Sequence, residues 1–161
     1  KIGVMSTMDA RPGPIGIASR SASLTSEIVA QMSASGLGQS TTVGIGGDLI
    51  HGVGLVECLE LFVEDPATEG VVLIGEIGGQ EEEKAAEWLA ETGPAKPVVA
   101  LVAGRHAPPE RRMGHAGALV TLGRGGAKSK IEALRGAGAY IASNAHAVAE
   151  TMRKALAEHR K

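Results

Sequence analysis

Five short, mostly aliphatic runs recur along this chain, and a stretch with helical character follows each of them. The runs are Ile15-Gly16-Ile17-Ala18, Thr42-Val43-Gly44-Ile45, Val71-Val72-Leu73-Ile74, Pro97-Val98-Val99-Ala100-Leu101-Val102 and Ala139-Tyr140-Ile141. Continuous apolar runs without polar alternation belong to strands covered on both faces. Regular alternation of strand and helix then implies a parallel sheet with helices on both sides. Helices are expected from about Leu24 to Ser35, stopped by Gly36 and Gly38, and from Leu55 to Val63, with Leu55, Leu59 and Phe62 on one face. Further helices are expected from Gln80 through Leu89, near Lys128 to Arg135, and from an Asn144 cap through Val148, Met152 and Leu156. The acidic residues at Glu81, Glu82 and Glu83 suit the positive end of a helix dipole, and the charges on to Glu87 read as a solvated face. Ile2-Gly3-Val4-Met5 reads as strand-like. The opening at Lys1, with no initiator methionine, gives the look of a piece cut from something longer.

Composition narrows the class. A chain of 161 residues fits one domain, 1–161, with a sizeable core. Phe62, Trp88 and Tyr140 are the only aromatics, so that core must be aliphatic. The same scarcity removes stacking platforms for bases, and a net charge of −2 lacks the basic footprint of a nucleic-acid binder. Cys58 excludes an internal disulfide, fits a reducing compartment, and reads as core packing. No apolar run is long enough for a bilayer, and no signal sequence opens the chain, so neither a membrane nor nucleic acid is an expected partner. His51, His146 and His159 have no partner at metal-ligand spacing, so no metal site is expected.

Ligands of open parallel sheets sit beyond the carboxyl ends of the strands. Residues 19–23, 46–48, 75–79 and 104–117 each follow a strand, so they should gather on one edge. The last of these segments holds most of Arg111-Arg112-Met113-Gly114-His115-Ala116-Gly117-Ala118. Its small residues cannot bury the histidine, and guanidinium groups beside it match phosphate oxygens. A histidine that accepts a phosphoryl group needs one ring nitrogen with a free lone pair and the other held by an acceptor. Glu76, in a glycine-rich turn on the same edge, is the best-placed carboxylate for His115. Ser21, Ala22 and Ser23 open a helix, where free N–H groups and the dipole favour an anion. Either serine also serves as a plain helix cap, and a lone loop histidine is otherwise just solvated. Gly44-x-Gly46-Gly47 is too short for a dinucleotide fingerprint, and no phosphate loop of the Gly-Lys-Ser/Thr kind is present.

Four segments together resemble the alpha subunit of succinyl-CoA synthetase, the succinate–CoA ligase family. They are Ser19-Arg20-Ser21, Val43-Gly44-Ile45-Gly46-Gly47-Asp48, Gly75-Glu76-Ile77-Gly78-Gly79, and Arg112-Met113-Gly114-His115-Ala116-Gly117-Ala118. Asp65-Pro66-Ala67-Thr68-Glu69 and Lys96-Pro97-Val98-Val99 look similar to that family too. The resemblance implies the C-terminal phosphohistidine (CoA-ligase) domain, an α/β flavodoxin-like three-layer sandwich with a five-stranded, mainly parallel sheet. It implies that His115 carries the phosphoryl group, that Glu76 orients it, and that residues Ser21, Ala22 and Ser23 receive the phosphate. It also implies an N-terminal CoA-binding Rossmann domain, apparently absent from this chain, and an ATP-grasp beta subunit as partner. CoA, ATP or GTP with Mg, and a small carboxylic acid such as succinate would be substrates of the full enzyme. They would be bound mainly outside this chain, with no cofactor tightly held here. The implied compartment is the cytoplasm, or the mitochondrial matrix in a eukaryote. Three departures stand out: Ala22 where the family usually has glycine, Ser26 where it has a tyrosine near the acyl substrate, and Leu49 after Asp48 where it has proline. Ala22 and Ser26 also motivate an alternative, a non-catalytic or regulatory module that keeps the fold.

Overall fold

The computed structural model describes residues 1–48, 50–108, 114, 115, 118 and 125–160. Expectations that fall on Leu49, Arg111, Arg112, Met113, Ala116 or Gly117 lie outside the described residues. The strands are β1 (Pro12–Ser19), β2 (Gln39–Gly44), β3 (Gly70–Glu76), β4 (Val98–Ala103) and β5 (Tyr140–Ile141). The helices are α1 (Ala22–Ala34), α2 (Leu55–Glu64), α3 (Glu81–Thr92), α4 (Ala127–Gly136) and α5 (Val148–His159). Every strand pair is parallel, and the order β2-β1-β3-β4-β5 is the flavodoxin-like, doubly wound arrangement. Among the described residues, no helix is long and apolar enough to cross a membrane.

Successive strand residues face opposite layers, and both layers are apolar. Ile15, Ile17, Val72, Ile74, Val99 and Leu101 meet Ile28, Val29 and Met32 of α1 and Val148, Met152 and Ala155 of α5. On the other face Val71, Leu73, Val98, Ala100 and Val102 meet Leu55, Leu59 and Phe62 of α2, with Ala85 and Leu89 of α3 and Leu134 of α4. The unbroken aliphatic runs thus result from a sheet buried on both sides.

Three local expectations change. Ile2 forms a single bridge to Val43, and Gly3, at φ 104°, turns the chain off the edge of β2 instead of continuing a strand. Asn144 caps a 3-10 turn (Ala145–Ala147) ahead of α5, its Oδ1 accepting the Ala147 N–H at 3.1 Å. Gly36, at φ 81°, does follow the end of α1, but Gly38 is required for packing: a Cβ there would stand 2.2 Å from the Pro12 carbonyl oxygen.

The acidic face of α3 is the largest correction. Glu82 is wholly buried, because it shares the inner face with Ala85, Ala86 and Leu89. Its carboxylate accepts hydrogen bonds from Arg20 Nη1 at 2.9 and 3.2 Å and from the Glu76 backbone N–H at 2.9 Å, and it pairs with the equally buried Lys130 of α4. Arg20 and Lys130 also donate to the Gly78 carbonyl, at 3.0 and 2.7 Å. Ions leave water only at a cost of several kcal/mol each, which these mutual contacts must offset. The cluster ties the end of β1, the turn after β3, α3 and α4 into one assembly.

Two predictions follow from this packing. Burial, with Glu57 beside it, pushes the Cys58 thiol up to about 11, so a disulfide reagent such as DTNB at pH 8 should leave the native thiol unmodified and react fully in denaturant. Removing one partner of a buried ion pair typically costs about 3–5 kcal/mol. Lys130→Met should therefore lower unfolding stability by that amount in a urea titration, while Lys128→Met, on an exposed pair, should change it by less than about 1 kcal/mol.

Candidate active site

Parallel pairing brings the carboxyl ends of the strands to one edge, and the turns there are joined directly. Ile45 N–H donates to the Ser19 carbonyl at 2.7 Å, Arg20 N–H to Ile74 at 2.9 Å, and Ile77 N–H to Ala103 at 3.2 Å. The expectation that residues 19–23, 46–48 and 75–79 share an edge holds, and the described parts of 104–117 lie there too.

Glu76 is the last residue of β3 and is 6% exposed. Its Oε2 lies 2.7 Å from Nδ1 of His115, whose side chain is 42% exposed. An ionised carboxylate can only accept, so beside it a neutral imidazole carries its proton on Nδ1 and keeps the lone pair on Nε2. The other carboxylate oxygen, Oε1, is buried, has no hydrogen-bond partner among the described residues, and lies 3.4 Å from Nη2 of Arg20. The imidazole rests on the backbone of Gly47, where a Cβ would stand 2.2 Å from Nδ1 and 2.3 Å from Cγ. Gly47 is thus needed for space. A cavity of about 370 Å³ adjoins Glu76 on the β4 side, with Ile77, Ala103, Arg105 and His106 in its walls.

Ser21 is the N-cap of α1, its Oγ accepting the Leu24 N–H at 3.4 Å. Ala22 and Ser23 are exposed at the tip of the helix, with Ser23 Oγ 3.5 Å from Ser21 Oγ. All three residues stand on the same edge as His115, and among the described residues no hydrogen bond joins them to it. Ser26 is one turn further on. Its Oγ donates to the Ala22 carbonyl at 3.2 Å and accepts the Ser6 N–H at 3.3 Å, so its hydroxyl is engaged by the N-terminal segment. Among the described residues, no group of three or more His, Cys, Asp or Glu side chains is placed to hold a metal.

Arg20, Gly47, Glu82 and Lys130 were not singled out as site residues by the sequence reading. Helical spacing carries a signal for two of them. Glu82 precedes Ala85, Ala86 and Leu89 at i+3, i+4 and i+7, and Lys130 lies between Ala127 and Leu134, so each interrupts an apolar stripe with a charge. Arg20 and Gly47 carry no periodic signal, because each acts across strands.

Known proteins resemble this chain over most of its length. Residues 18–140 match the CoA-ligase family. The alpha subunit of the ADP-forming succinate–CoA ligase of Aquifex aeolicus is 51% identical over 156 residues, which cover 97% of this chain and 51% of the relative. The corresponding subunit of Methanothermobacter thermautotrophicus is 50% identical over 156 residues, 97% of this chain and 53% of the relative. Among solved structures, a variant of Methanosaeta concilii ATP citrate lyase in complex with (3S)-citryl-CoA superposes with a TM-score of 0.83. It is 29% identical, and the match covers 94% of this chain and 26% of that one. The chain spans about half the length of the curated relatives it matches. On the family match and its identity to these relatives, the chain belongs to the CoA-ligase family.

Proposed function

We propose that this chain is the phosphohistidine-carrying domain of an acid–CoA ligase of the succinyl-CoA synthetase kind, with His115 as the carrier and Glu76 as its orienting carboxylate. The observation that carries the reading is the 2.7 Å contact between Nδ1 of His115 and Oε2 of Glu76. It leaves Nε2 with a lone pair on a ring that is nearly half exposed, which is the form of imidazole able to attack phosphorus.

In the acyl-CoA-forming direction, Nε2 attacks the terminal phosphorus of a nucleoside triphosphate. The N–P bond forms, the P–O bond to the diphosphate breaks, and the diphosphate leaves with the electron pair. The ring becomes a cation with its proton on Nδ1, and Glu76 offsets that charge. A carboxylate oxygen of the acid then takes the phosphoryl group, and Nε2 recovers its lone pair. The thiolate of CoA attacks the resulting acyl phosphate and releases inorganic phosphate. Residues Ser21, Ala22 and Ser23 would receive the phosphoryl group at the start of α1, through backbone N–H groups and serine hydroxyls. Ser26 lies near the acyl substrate in this reading. The nucleotide with its Mg, and CoA, would be held mainly by an ATP-grasp beta subunit and an N-terminal CoA-binding domain.

The direct test pairs this domain with its full-length subunit and beta partner and supplies triphosphate labelled in the terminal phosphate. Label should appear on His115 and be lost in acid but kept in base, as a phosphoramidate requires. Label of that kind persisting in His115→Ala would disprove the reading. Gly47→Ala should slow labelling by about 10–100-fold, the cost of misplacing a reacting group by roughly an ångström. Its melting temperature should stay close to that of the unaltered enzyme, because Gly47 has an ordinary φ and the added methyl displaces only a half-exposed ring. Labelling at the unaltered rate would show that the ring does not rest on Gly47 when it reacts.

A further inference from the structure

We propose that Arg20 is a positioning residue for His115, acting through Glu76, and that Glu82 and Lys130 exist to hold Arg20 in that pose. The inference rests on the phosphohistidine reading and adds a second layer to it. Glu76 has one carboxylate oxygen on the imidazole and one, Oε1, that is buried and, among the described residues, without a hydrogen bond. A carboxylate torsion is soft, with a broad distribution of angles. One contact to a half-exposed ring therefore does not by itself fix which oxygen faces Nδ1, or at what angle.

Arg20 supplies the missing restraint. Its Nη2 is 3.4 Å from Glu76 Oε1, and the residue is 4% exposed, where charges are weakly screened. Arg20 has little freedom of its own. Nη1 is bound by the Gly78 carbonyl at 3.0 Å and by Glu82 at 2.9 and 3.2 Å. Glu82 is held in turn by the Glu76 backbone N–H at 2.9 Å and by Lys130, which has Glu83 3.5 Å away on its other side. Even the space is arranged for this. A Cβ on Gly75 would stand 2.5 Å from Cγ of Glu82, so only glycine lets that side chain pass beneath the end of β3.

The consequence is a carboxylate with one oxygen drawn towards a fixed cation and the other presented to Nδ1. That arrangement selects the Nδ1–H tautomer and points the Nε2 lone pair outward. Arg20 does not need to touch the phosphoryl group to affect its transfer. The cluster therefore has a purpose beyond stability, which an apolar cluster of similar volume would supply as well or better.

The test separates positioning from folding with two variants in the full-length subunit and beta partner. Arg20→Gln removes the guanidinium but leaves the buried cluster one positive charge short. The double variant Arg20→Gln with Glu82→Gln removes one charge of each sign, so the balance of the cluster returns while Glu76 still lacks its cation. Arg20→Gln should lose thermal stability, and the double variant should recover much of it. Labelling of His115 should stay about 10–100-fold slow in both, as when a group that orients a reacting histidine is lost. The nucleotide KM should remain within about twofold of the unaltered value, the pattern of an interaction that serves the transfer step and not binding. Rates are taken well below each variant's melting temperature. A double variant labelled within about threefold of the unaltered enzyme would overturn the role of Arg20 and leave His115 as carrier. Absence of label on His115 in the unaltered enzyme would instead overturn the carrier reading, and this inference with it.

Discussion

Arg20, Glu82 and Lys130 meet around the Gly78 carbonyl with almost no access to water, and the working edge of the domain is built on that meeting. Each of these groups is costly to bury alone. Together they occupy one another's charges and leave one cation facing the carboxylate of Glu76. The cluster draws on the end of β1, the turn after β3, the first turn of α3 and the first turn of α4. Four elements remote in sequence thereby acquire a common reference point at the place where the sheet opens to solvent.

Glycine has a complementary part at this edge. Gly47 makes room for the imidazole, and Gly75 makes room for Glu82. In both cases the requirement is the absence of a Cβ, since neither has a left-handed φ. Side chains that must lie close to backbone at the end of a strand can do so only over glycine. The richness of this chain in glycine at the strand ends is thus part of the same construction as the buried charges.

The family match and the contact between His115 and Glu76 bear on different levels of the functional reading. Membership of the CoA-ligase family rests on residues 18–140. The proposed division of labour within the site, with His115 as carrier, Glu76 as orienting group and Arg20 behind it, is argued from distances and burial. The chain spans about half of its curated relatives, so the chemistry assigned to it is one stage of a reaction whose other groups are proposed to be held elsewhere.

The sequence by itself determined the layered architecture. Its aliphatic runs leave no choice but strands covered on both faces, and helical spacing at Leu55, Leu59 and Phe62, or at Val148 and Met152, marks the covering helices. Position relative to strand ends was enough to single out Glu76 and His115 as neighbours on one edge. What only the tertiary structure decided was the state of the charges. Glu82 reads as one of several solvated acids on α3; its spacing with Ala85, Ala86 and Leu89 marks the inner face, but a local pattern cannot supply the counter-charges that let a carboxylate stay there. Arg20 reads as a loop residue for the same reason. Helix and strand periodicities are set by local backbone geometry and can be read along the chain. Whether a charged side chain ends in water or among counter-charges depends on partners brought together by folding, here from residues 20, 82 and 130, and no spacing in the sequence encodes that meeting.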